Sequence, residues 1–143
     1  IMPSLVGSEM CIRDRFQIKR LSIYQHKTFE SQRFKDFIQF KQLITEYYHE
    51  SHNAKDYAKK LNVSYKYLND VCKQIGYKTA KAFLDSWLLL EAKRNISENQ
   101  YTSQEIAYKM GFKEPSNFNR FFKKFTNQSP NQFQQKLEKT TLV

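Results

Sequence analysis

The chain repeats itself. Ala58, Leu61 and Val63 recur as Ala107, Met110 and Phe112, an offset of 49 residues. Leu68, Val71, Cys72 and Lys73 recur as Phe118, Phe121, Phe122 and Lys123, an offset of 50. The offset changes between the two groups, so the second copy carries one extra residue at that point. In each copy a small residue, Ala58 or Ala107, lets two helices approach. An apolar residue past a tight turn, Val63 or Phe112, plugs the angle between them. Helix, tight turn, second helix is the helix-turn-helix plan, whose second helix enters the DNA major groove. One unit is a weak signal, because any helical hairpin imitates it. Two in tandem are much stronger.

Local signals fill in the rest. From Ser31, apolar residues recur at spacings of three and four (Phe34, Phe37, Ile38, Ile44, Tyr47, Tyr48), which predicts one helical face. "HESHN" (49–53) breaks it, and Asn53 is placed to cap the next helix. "LNVS" makes the first corner, with Ser64 as cap for a helix whose apolar positions are Tyr67, Leu68, Val71 and Ile75. Gly76 is expected to stop that helix. A long helix over about 80–95 follows, with Phe83, Leu84, Trp87, Leu88 and Leu90 inside and Lys93 and Arg94 at its C-terminal end. Thr102 and Glu105 fit a capping box for a short helix to Met110. Gly111 turns the chain into a helix reaching about Phe125. Asn127 and Pro130 suit a left-handed cap and the first turn of a short last helix. The predicted fold class is all-α: two helix-turn-helix subdomains joined by a long linker helix, about seven helices in all. The first unit is placed at 31–78, the linker helix at 79–96 and the second unit at 97–135, with 136–143 as a tail.

Charge narrows the partner. The formal net charge is +10, which points to a polyanion, nucleic acid before acidic membrane. Three Gly and three Pro leave little turn chemistry for an all-β fold. Cys11 and Cys72 give neither a disulfide framework nor metal-ligand spacing, which fits a reducing, cytoplasmic compartment. No apolar run nears the roughly 18 residues of a membrane span; the longest, "WLLLEA", is interrupted by Glu91. Enzyme signatures are missing: no phosphate-cradling Gly loop, no Ser or Cys nucleophile motif. His49 and His52 lie in a polar break without a third ligand and are expected at the surface. No cofactor and no metal are expected.

Residues 5–15, "LVGSEMCIRDR", resemble one reading frame of a sequencing-library transposon end. Residues 1–15 are therefore expected to be foreign and are set aside from fold reasoning, Cys11 included. Their two acids and two bases cancel (Glu9, Asp14, Arg13, Arg15), so the +10 belongs to the rest. Residues 16–30 show no long period and are expected to be a linker or the remnant of an upstream domain.

"AKKLNVSYKYLNDVCKQIGYKTAKAFLDSWLLLEAKR" followed by "SQEIAYKMGFKEPSNFNRFFKKFTNQSPNQF" resembles the AraC/XylS transcription regulators over roughly 32–135. The most specific parts are "EIAYKMGF", "NFNRFFKK" and "SPNQF". The resemblance implies a regulator that binds double-stranded DNA, meets RNA polymerase, and dimerises, if at all, through a domain upstream. It also matches Lys66 and Asn69 to base-contacting positions and Lys73 to a backbone position. Three residues depart from the family pattern: Trp87 replaces a usual Arg, Asn127 a usual Gly, and Asp70 stands where a base is common. An acid at 70 weakens phosphate attraction or reads a cytosine amino group.

The residues themselves divide each second helix into two faces. Phe118, Phe121, Phe122 and Phe125 are expected to pack in the core. Opposite them, Arg120 can donate twice to guanine and Asn119 can read adenine. Ser116, near the helix start, can bond phosphate or a base edge. Lys113, Lys123 and Lys124 would hold the backbone. On the first helix Ser64 caps, while Tyr65, Lys66, Asn69 and Asp70 face outward and Lys73 reaches phosphate. Cys72 falls on the packed side. If both helices engage, they must lie about 34 Å apart, on successive major grooves. Two other classes stay open: the DNA-binding module of a larger DNA-repair enzyme, and a non-specific basic architectural or membrane-surface protein.

Overall fold

Short-range side-chain bonds start most of the helices. A computed structural model describes residues 32–141, in which seven helices and no strand occur. The adapter-like stretch and the 16–30 linker lie outside the described residues. The first helix, α1, covers 32–47. In its lead-in, Gln32 Nε2 donates to Asp36 Oδ1 at 3.0 Å. From Phe37 onward the chain forms one compact unit.

Within that unit α2 is Ala54–Lys60, capped by Asn53, whose side chain accepts from the Lys55 N–H. Helix α3 is Tyr65–Gly76, capped by Ser64, which accepts from the Tyr67 N–H. The linker helix α4, Ala80–Glu98, is capped by Thr79. Helix α5, Ser103–Lys109, opens with the full Thr102–Glu105 capping box. Helix α6, Pro115–Thr126, has no side-chain cap bond but carries Pro at its first position, where no backbone donor is needed. Helix α7 is Pro130–Thr141. Ser129 Oγ accepts the Gln132 N–H at 3.2 Å, and Gln132 Oε1 accepts the Ser129 N–H at 2.9 Å. Each such cap is worth about 1 kcal/mol.

The two corners are built alike. The Val63 N–H donates to the Ala58 carbonyl at 3.1 Å, and the Phe112 N–H to the Ala107 carbonyl at 3.0 Å. The residue before each takes the left-handed conformation, Asn62 at φ 56° and Gly111 at φ 86°. Glycine is needed in the second corner for a further reason. A Cβ on Gly111 would sit 2.6 Å from the carbonyl carbon and 2.8 Å from the Cα of His49.

The core runs along α4. Ala80, Leu84, Leu88, Ala92 and Ile96 form its buried stripe. Leu68, Val71 and Cys72 of α3 and Phe118 and Phe122 of α6 bury their faces in the same core. Each fully buried Leu, Val or Phe contributes roughly 1.5–3 kcal/mol. Burial also pushes the Cys72 thiol up to about 12, so it stays protonated and acts as a small apolar group. One polar residue enters this core: Asn95 is buried, donates to the Glu91 carbonyl at 2.8 Å and accepts from Lys109 Nζ at 3.1 Å. It ties α4 to the end of α5.

Several expectations need correction. Gly76 does not stop α3; it is the last helical residue, and Tyr77 takes the left-handed cap at φ 59°. The glycine answers a packing need, since a Cβ there would meet the Phe37 ring at 3.2 Å. In α1 the buried residues are Phe37, Phe40 and Ile44, while Phe34 and Ile38 are exposed; Phe40 went unpredicted. Leu90 is 68% exposed, because it falls opposite the stripe set by Leu84 and Leu88. Phe125 is 43% exposed, at the rim of its Phe cluster. Lys93 and Arg94 precede the last turn of α4, which runs on to Glu98; Arg94 pairs with Glu91 at 2.7 Å. Helix α7 continues to Thr141, through the stretch set aside as a tail.

Candidate nucleic-acid interface

Two helices, α3 and α6, bury one side and leave a polar side in water. On α6 the buried side is Phe118 and Phe122, with half-buried Phe121 in ring contact with Phe112 and Phe125. Ser116, Asn119, Arg120, Lys123 and Lys124 are exposed, as is Lys113 in the corner before the helix. The Phe spacing forces this division, since packing on one face turns positions 116, 119, 120 and 123 outward.

Two contacts on α6 lie beyond what was read from the sequence. Arg120 Nη2 donates to Asn117 Oδ1 at 3.1 Å, which holds the guanidinium along the helix surface. The signal was there: a donor and an amide three residues apart are neighbours on a helix. Ser116 Oγ lies 3.4 Å from Glu114 Oε2, a long bond that leaves the hydroxyl able to exchange partners.

On α3, Lys66, Asp70 and Lys73 are exposed, and Ser64 is exposed while its hydroxyl caps the helix. Asn69 differs. It is half-buried, and its Oδ1 accepts the Ala80 N–H at 2.9 Å. One half of its amide therefore fastens α3 to the start of α4. Only the Nδ2 side is left for a ligand. That bond spans eleven positions across a turn, so no local pattern announces it.

The cations of this face are not neutralised by neighbouring acids. Lys66, Lys73, Lys113 and Lys123 make no ion pair among the described residues, whereas Lys81 and Arg94 on α4 pair with Asp85 and Glu91. Lys124 Nζ lies 5.5 Å from the centre of the Phe125 ring. Cationic side chains kept in water and free of partners favour a polyanion. The described residues hold no group of three His, Cys, Asp or Glu that could bind a metal, and no helix long and apolar enough to cross a membrane.

Of the two histidines in the 49–53 break, His52 is not a simple surface residue. His52 is half-buried; its Nε2–H donates to the Met110 carbonyl at 2.8 Å, and its ring lies 4.5 Å from that of Phe112. His49 is exposed, but its backbone packs against Gly111.

Solved structures share this fold. The C-terminal domain of the two-component response regulator yesN from Fusobacterium nucleatum matches with a TM-score of 0.60 and 25% identity, over 66% of this chain and 93% of that one. The C-terminal domain of AraT, a response regulator from Geobacillus stearothermophilus, matches at 0.63 and 23% identity, over 71% and 84%. A transcriptional regulator from Chromobacterium violaceum, described as containing an AraC-type DNA-binding domain, matches at 0.60 and 17%, over 70% and 89%. No curated protein matches significantly. The family described as "Helix-turn-helix domain" matches residues 57–136, more than half of the chain and both corners. On that match, the chain belongs to the AraC-type helix-turn-helix family.

Proposed function

We propose that this chain is a transcription regulator that binds double-stranded DNA sequence-specifically, laying α3 and α6 in successive major grooves about 34 Å apart. One observation carries this reading. The same helix of each repeat presents a polar, cation-bearing face whose back is locked into the core by buried residues. A helix so backed enters a groove without losing packing. Helix α6 supplies the principal readers: Arg120 for guanine, Asn119 for adenine, Ser116 at the helix start. Lys113, Lys123 and Lys124 neutralise phosphates, and Lys73 does so on α3. Lys66, Asp70 and the free side of the Asn69 amide form the reading edge of α3, with Ser64 near the backbone. RNA polymerase is the protein partner that such a regulator meets on DNA.

The test is selection of bound sequences from a random duplex pool, followed by gel shifts against excess non-specific DNA. A discrete site with two segments about one helical turn apart is expected. Affinity that ignores sequence and fades uniformly with salt would replace this reading with an architectural one.

A further inference from the structure

We infer that the 49–53 connector fixes the angle at which the second recognition unit is presented, and that His52 is the positioning residue. The spacing part of this inference rests on the DNA-binding reading above.

The connector is anchored first to its own unit. Tyr57 Oη donates to the Ser51 carbonyl at 2.8 Å. Ser51 Oγ donates to Asp56 Oδ2 at 2.6 Å. Lys81 Nζ, on α4, donates to the His52 carbonyl at 3.1 Å. Tyr48, just before the connector, packs against Trp87 at 5.1 Å between ring centres. The loop is thus tied to α2 and α4 before it touches anything else.

Its other side grips the second corner. The His52 Nε2–H satisfies the carbonyl of Met110, the residue that caps α5 and whose oxygen has no partner within that helix. The imidazole lies against Phe112, and Gly111 sits against the His49 backbone. Phe112 in turn packs on Phe118 and Phe121 of α6, at 5.3 and 5.5 Å. A continuous line of contacts therefore leads from His52 through Phe112 to the second recognition helix. The second unit otherwise meets the first along α4, through the shared core. Attachment at a further point, off the axis of α4, adds resistance to rotation about it.

Among the described residues the arrangement has no counterpart in the other direction. Tyr101 stands at the repeat position of His52, but it is exposed, with Lys109 Nζ of its own unit 4.4 Å from its ring centre. The first unit holds the second corner; the second unit does not return the grip.

The experiment uses the full chain and three variants. His52→Phe keeps a ring and removes the donor. His52→Gln keeps an N–H donor, and Phe112→Leu removes the stack from the opposite side, so a folding defect in one variant leaves the others to decide. Binding is measured to the selected site and to sites with one base pair added or removed between the segments. A rigid pair of readers loses on the order of tenfold on the altered sites, because DNA or protein must be deformed. His52→Phe and Phe112→Leu are expected to bring that ratio close to one, and His52→Gln to restore it. Without DNA, residual dipolar couplings from α3 and α6 are expected to fit one alignment tensor in the wild type and two in His52→Phe. A folded His52→Phe that keeps both the spacing penalty and the single tensor overturns the inference. A wild type with no discrete site refutes the DNA reading instead, and the couplings then judge the positioning role alone.

Discussion

Residue 69 and residue 119 are both Asn, and they occupy the same place in the repeat, yet they do different work. Asn69 spends its carbonyl oxygen on the Ala80 N–H. At the corresponding place in the second unit stands Pro130, which has no N–H to satisfy. Asn119 is left exposed on α6. The next position inverts in charge: Asp70 in the first unit, Arg120 in the second. One backbone plan thus yields a first helix partly committed to holding the fold and a second helix free to meet a ligand. Similar scaffolds do not imply equal shares of recognition.

The two units should differ most at their corners. Gly111→Ala places a Cβ into the His49 carbonyl at a φ that side chains resist, and should cost about 3 kcal/mol or more. Asn62→Ala in the first corner should cost only about 1 kcal/mol, the ordinary expense of that conformation. Thermal melts of both decide it; equal losses would mean that the His49 contact yields easily.

Next comes the charge inversion. Arg120→Ala should cost roughly 1–3 kcal/mol of binding and relax preference at one base pair. Asp70→Ala should strengthen binding to all sequences by a few tenths of a kcal/mol, unless the acid reads a cytosine. Selected-site sequencing of both variants separates the cases, and unchanged preference in Arg120→Ala removes it from the readers.

The paired asparagines come third. Asn69→Ala should lower folding stability by about 1–2 kcal/mol by stranding the Ala80 N–H. Asn119→Ala should leave stability within about 0.5 kcal/mol and act on DNA binding alone. Combining Asn69→Ala with Ala80→Pro should cost less than the sum of the single changes, since the donor is already gone. Additive costs would show that the Asn69–Ala80 bond contributes nothing.

The smallest effect belongs to the lysines. Lys123→Ala and Lys73→Ala should each weaken all sequences alike and lower the salt slope by about one. A sequence-selective loss in either would reassign it to base contact.

Much of the fold was legible because its signals are local. Asn53, Ser64 and the Thr102–Glu105 box act on N–H groups two or three residues away, so spacing alone reveals them. The corners were legible because Ala58 and Val63, like Ala107 and Phe112, must sit at fixed separations. What escaped depends on distant partners. Nothing beside Gly76 announces that the ring of Phe37 needs its missing side chain. The run "WLLLEA" has no period of its own, so Leu90 looked internal until Leu84 and Leu88 fixed the stripe. The outward faces of α3 and α6 could be read from their apolar spacing. The division of labour within them could not, because it depends on Ala80, Pro130 and the Asn117–Arg120 pair.

The extra residue in the second corner has a practical consequence. Five residues separate α5 from α6, but only four separate α2 from α3. An engineer wishing to retarget the protein by exchanging its two reading helices cannot cut at the helix ends. Such a graft would arrive rotated and without its matching corner. The cassette that travels intact begins at Ala58 or Ala107 and must bring Ala80 or Pro130 with it, because the residue that opens the following helix decides whether the asparagine's carbonyl oxygen is already engaged.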